Sequence, residues 1–159
     1  MGTSPDPNPC QEGGQMRGKD WLLLFIAQPT EESDKAVPVD PLRIMKGMFY
    51  FTRKAQGLYE FEPYHLGPIC FTIYDDLRSL VQEGIVAMED APGQTWKSYY
   101  LTSAGIQRAA KLQEIADPEM LNDLKVQKNN VCSLGFFDLL RQVYRDYPPF
   151  AEKSIFKFD

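Results

Sequence analysis

Apolar and polar positions along this chain follow two periods, and the switches between them mark out helices and one hairpin. Residues 1–18 hold three prolines and almost nothing apolar, so a disordered arm is expected there. Residues 21–28 are apolar nearly all round, the pattern of a short buried helix, with Asp20 placed to cap it. Asp40-Pro41 then reads as a helix start, an N-cap carboxylate followed by a proline whose fixed φ suits the first turn. That helix is predicted to run to about Gln56, where Gly57 ends it. Its apolar residues Ile44, Met45, Met48, Phe49, Phe51 and Ala55 fall mostly three and four apart. Residues 58–62 alternate apolar and charged and predict a short strand, and Gly67-Pro68 predicts a turn.

A helix is predicted over 71–83, with Leu77, Leu80 and Val81 facing inward and Gly84 closing it. Residues 85–88 and 96–101 read as the strands of a β-hairpin around the turn at 90–95, which contains Pro92-Gly93. Thr102 caps a helix over 103–116, Asp117-Pro118 starts another ending near Asn129-Asn130, and Ser133 caps a last one to about Asp146. In that last helix Phe136, Leu139, Leu140, Val143 and Tyr147 form an apolar stripe that either covers its own domain or pairs with a second copy. The expected class is mainly α with a small β-hairpin. The expected domains are an arm over 1–18, a helical and hairpin domain over 19–116, and a C-terminal helical extension over 117–159.

Composition narrows the function classes. The 159 residues are 43% apolar and 25% charged, which is ordinary globular usage. Cys10, Cys70 and Cys132 are odd in number and far apart, so neither a disulfide framework nor a zinc site is expected. The apolar run 21–27 is about a third of a membrane span, and no apolar leader precedes it, so a cytoplasmic protein is expected. The single histidine, His65, cannot build a metal site alone and is expected to fix its loop by a hydrogen bond. No phosphate loop, dinucleotide fingerprint or nucleophile motif is present, so no enzyme activity, metal or cofactor is expected.

Two phrases carry a resemblance. Asp75–Val86 (DDLRSLVQEGIV) resembles the L-x-x-L-x-x-x-G ending of a winged-helix third helix, and Tyr99–Gly105 (YYLTSAG) is similar to the Y-x-L-T-x-x-G that closes the wing in MarR-like and PadR-like regulators. The likeness covers about residues 20–111. The run YEFEPYHLGPICFTIYDDL with the tail LLRQVYRDYPPFAEKSIF also looks like the poorly characterised bacterial YwgA-like proteins, some of whose relatives are antitoxin- or phage-associated regulators. The resemblance implies a winged helix-turn-helix over 19–116 and a DNA-binding transcriptional regulator that dimerises through helices outside the wing.

Charge complicates that expectation. Net charge is −5, and the third helix carries Asp75, Asp76 and Glu83 against Arg78 alone. The preceding helix is basic: Arg43, Lys46, Tyr50, Arg53 and Lys54 fall on one side of it, opposite the Met/Phe face. That stripe, with Arg78 and Lys97 of the wing, is the expected contact with double-stranded DNA. The alternative is a winged helix used as a protein-interaction module, in which the acidic third helix faces a basic protein partner.

Overall fold

The computed structural model describes residues 16–31, 36–55 and 57–158, so most of the expected arm lies outside the described residues. Helix α1, Gly18–Ala27, is the centre of the core, with Trp21 through Ile26 all buried. It starts earlier than the sequence suggests. Arg17 is the N-cap, and Asp20 sits at the third helical position, where its carboxylate reaches back to accept from the Arg17 N–H at 3.0 Å. A carboxylate in a first helical turn serves the orphan donors from either position.

Helix α2 spans Pro41–Thr52, and the Asp40 carboxylate accepts from the Arg43 N–H at 3.2 Å, as Asp40-Pro41 predicts. It ends short of Gln56. Thr52 turns its hydroxyl back to the Phe49 carbonyl at 3.1 Å, a local bond that competes with a continuing helix.

The following segment departs most from the sequence reading. The strand expected at 58–62 forms instead as β1, Glu62–Tyr64, and the Gly67-Pro68 turn is the start of a second strand, β2, Gly67–Ile69. Alternation at Tyr59 and Phe61 reflects rings turned toward the core, not ladder pairing. Pro63 faces Pro68 in the register between Tyr64↔Gly67 and Glu62↔Ile69. Two prolines fit opposite each other only at the pair of an antiparallel ladder that exchanges no N–H.

Helix α3, Phe71–Gln82, buries Ile73, Leu77 and Leu80. Gly84, at φ +77°, closes it. The Ile85 N–H donates to the Leu80 carbonyl and the Gly84 N–H to that of Val81, both at 3.0 Å, the paired bonds of a Schellman cap. Strands β3, Val86–Asp90, and β4, Lys97–Leu101, form the predicted hairpin, and Val39 bridges to Tyr99 beside it through two backbone bonds of 3.0 and 2.9 Å.

Helix α4, Ser103–Ile115, is capped by Thr102 as expected, its hydroxyl oxygen accepting from the Gly105 N–H at 3.1 Å. The same hydroxyl donates to the Gly84 carbonyl at 2.6 Å, tying the start of α4 to the end of α3. Thr102→Ala should therefore lower stability by about 1–2 kcal/mol, and Thr102→Ser by less, in urea unfolding. Equal stability of all three proteins would refute this double role.

Helix α5, Pro118–Cys132, starts at the Asp117 cap and packs along α2. Ser133 is its C-cap, with a hydroxyl donating to the Asn130 carbonyl at 2.8 Å, and Gly135 is the N-cap of helix α6, Phe136–Asp146. Ser133 thus ends one helix instead of starting the next. The apolar stripe of α6 covers its own domain: Leu139, Leu140 and Val143 are fully buried, and Phe136 and Tyr147 partly so. Pro148–Ala151 form a 3-10 turn against β1 and β2. The class is mainly α with small antiparallel hairpins, two of them where the sequence suggests one.

Candidate interaction face and groove

The basic stripe of α2 is one face of the helix, and the fold covers much of it. Strand β2 and helix α5 pack against α2, α6 meets it at Tyr50, and each residue of the stripe has a partner within the chain. Arg43 is bound to Asp40 at 3.1 Å and donates to the Leu134 carbonyl at 2.6 Å. Tyr50 donates its hydroxyl proton to Asp146 at 2.9 Å. The Arg53 guanidinium lies 4.4 Å from the centre of the Phe49 ring. Lys54, the most exposed of the set, faces Asp123 at 3.4 Å.

Lys46 is the exception in burial. Only 3% of it is exposed, and its ammonium donates to the Pro68 carbonyl at 3.0 Å. The proline pairing of β1 and β2 explains the acceptor: at a pair without ladder bonds the carbonyls point away from the partner strand. Burial pushes the Lys46 ammonium down to about 7.

Lys46 lines a groove of about 470 Å³. Its mouth carries the Asp40–Arg43 pair. Its walls are Tyr64 and His65 at the tip of the first hairpin, Tyr74 of α3, Trp96 at the turn between β3 and β4 and Phe136 of α6. The His65 imidazole stacks on Tyr64 at 4.3 Å, and the hydrogen bond at this residue belongs to its backbone, whose carbonyl accepts from the Ile155 N–H at 2.9 Å. His65 fixes its loop by stacking and backbone, where the sequence suggests a side-chain bond.

Beside the groove, the outer face of α3 presents Phe71, Asp75, Arg78 and Gln82, all exposed and spaced four, three and four apart. Asp75 and Arg78 pair with each other, while Asp76 turns inward to accept from the buried Tyr59 hydroxyl, so the adjacent aspartates point to different surroundings. On the β3–β4 hairpin, Met88, Glu89, Asp90 and Trp96 are exposed, and Lys97 pairs with Asp90. Phe71 touches Tyr64 at 5.5 Å, which joins α3 to the groove rim.

Sequence reasoning missed the groove and a second buried cation. Lys128 of α5 is 1% exposed and donates to the carbonyls of Ile26 and Gln28, at 2.9 and 2.6 Å, satisfying acceptors at the C-terminal end of α1. Burial lowers its ammonium to about 8. The available signal was that α1 is an apolar helix whose last turn holds no basic residue. Of the cysteines, Cys70 is buried and Cys132 half-buried, while Cys10 lies outside the described residues. Among the described residues no helix is long and apolar enough to cross a membrane. No protein-family model matches the chain, and no curated protein matches its sequence.

Proposed function

We propose that this chain is a winged helix used as a protein-interaction module, and that the outer face of α3 and the wing meet a partner bearing basic residues. The order of elements supports the winged-helix part. A buried first helix, a short edge at Val39, two further helices with the β1–β2 hairpin inserted between them, and a hairpin whose second strand pairs with that edge follow one another. The observation that carries the interaction part is the pairing of the expected DNA-contacting cations. Arg43, Lys54, Arg78 and Lys97 each have a carboxylate, Arg53 has a ring, and Lys46 is buried. The same pairs occupy Asp75 and Asp90, and what stands exposed beside them is apolar: Phe71, Met88 and Trp96.

A second reading, DNA binding, is favoured by the exposure of Arg78 and Lys97, whose side chains are 64% and 54% accessible. Surface pairs of this kind are held by less than about 1 kcal/mol, so a phosphate competes for them. Fluorescence anisotropy against a mixed-sequence duplex at about 50 mM salt separates the readings. We expect no binding there. Affinity capture from an extract of the protein's own cells should return a partner that the Asp75→Lys/Asp90→Lys variant loses and the Lys54→Glu variant keeps. Micromolar duplex affinity with a steep salt dependence, and no partner sensitive to Asp75 and Asp90, would sink the interaction reading.

A further inference from the structure

The groove beside this face specifies the partner's chemistry, an inference that rests on the interaction reading. An ammonium has three donors, and the one hydrogen bond of Lys46 among the described residues goes to the Pro68 carbonyl. No carboxylate lies within ion-pair distance of it among those residues, whereas Arg43 at the mouth is taken by Asp40 and by the Leu134 carbonyl. A buried cation without a counter-ion, on the wall of a groove, is a defect unless an anion completes it.

The walls limit which anion. Tyr64, Tyr74, Trp96 and Phe136 offer aromatic surface around one ammonium, and with Arg43 held by Asp40 the charge suits a monovalent carboxylate on an apolar body better than a phosphate dianion. The rim says how the body continues. Tyr64 is 38% exposed, Trp96 41% and Phe71 50%, so the apolar surface runs on beyond the cavity. A free small acid would leave those rings in water, while a polypeptide chain leaving the groove would cover them. A volume of about 470 Å³ holds roughly the last two or three residues of such a chain.

We propose that the groove captures the C-terminal carboxylate of a partner protein ending in an apolar residue, with Lys46 as counter-ion and Tyr74, Trp96 and Phe136 around the terminal side chain. The Lys46 ammonium does what an N–H nest does in other C-terminus readers, supplying positive charge at the chain's end. Specificity then has two parts, the free carboxylate and the apolar terminal residue.

The test is fluorescence polarisation with labelled pentapeptides of mixed sequence, ending in each amino acid in turn and made both as free acids and as C-terminal amides. Free acids with large apolar termini should bind, and the matching amides should bind at least about tenfold more weakly. Lys46→Met should make acid and amide equal. Trp96→Ala, an exposed change on the wing turn that leaves the core untouched, should weaken the acids while the protein stays folded by circular dichroism. Equal binding of acids and amides by the unaltered protein, or no binding by any peptide, overturns the proposal. So does hydrocinnamate that binds as tightly as the best peptide and displaces it, since that would assign the groove to free small acids. If the groove fails while Asp75→Lys/Asp90→Lys still loses a partner, the interaction reading stands without it. If peptides bind and no partner depends on Asp75 and Asp90, that reading alone fails.

Discussion

Gly105→Ala is expected to remove about 3 kcal/mol or more of stability, a large share of what holds a domain of this size together. Gly105 sits in the first turn of α4, where the chain leaves the β3–β4 hairpin, and a Cβ there would stand 2.1 Å from the Ile85 carbonyl oxygen. That oxygen is backbone and already accepts from the Thr102 N–H at 3.1 Å, so it has no side-chain rotamer by which to yield. The added methyl must push the start of α4 away from the end of α3, breaking the Thr102 bonds to Gly84 and Ile85 as well. Gly47→Ala provides the comparison. Its Cβ would meet the Phe25 ring at 2.3 Å, but a ring can tilt, so we expect a smaller loss. In thermal unfolding Gly105→Ala should melt roughly 10 °C below the parent, with Gly47→Ala between them. A Gly105→Ala protein melting with the parent would mean that the β3–β4 hairpin does not join α4 in this way.

That glycine was legible in the sequence, and the reason separates what could be read from what could not. In Tyr99–Gly105 every feature is local: strand alternation, a threonine whose hydroxyl meets an N–H three residues on, and a glycine allowing a close approach. The Asp40 and Asp117 caps and the Gly84 ending of α3 are local in the same sense, and each holds. The failures are matters of tertiary burial. Arg43, Lys46 and Tyr50 do share a face of α2, but nothing within α2 tells that face that a hairpin and α6 will cover it. Gly67-Pro68 suggested a turn because proline usually interrupts strands, and only the pairing of Pro68 with Pro63 makes it a strand position. The groove needs five separate segments to meet, from the start of α2 to the start of α6, and no window of sequence contains them. The amphipathic α6 was the one available hint, since its apolar stripe had to find a surface somewhere.

Lys46→Met is expected to change the pH dependence of stability more than any other single substitution. The lysine has an ordinary value of 10.5 and is pushed to about 7 by burial, so between those limits the unfolded chain holds a proton that the folded chain lacks. Unfolding then takes up a proton, and raising the pH favours the folded state by up to about 1.4 kcal/mol per pH unit from this group. Below about pH 7 the folded protein must carry the ammonium among Met45, Ile69, Tyr74 and Phe136, and the full cost of its burial is felt. Methionine removes both the cost and the proton, giving up one hydrogen bond to Pro68. The variant should therefore be the more stable protein at roughly pH 6, and its advantage should shrink steadily toward roughly pH 9.5. Lys128, lowered to about 8, stays in both proteins and cancels in the difference. Tyr50 and Tyr59, held above the ordinary tyrosine value by burial, are likewise common to both proteins and cancel in the same way. Urea unfolding at several pH values measures the difference directly. Parallel curves for the two proteins would show that Lys46 keeps an ordinary proton affinity in the fold. Its ammonium would then be far better solvated than its contact with Pro68 and the surrounding rings implies.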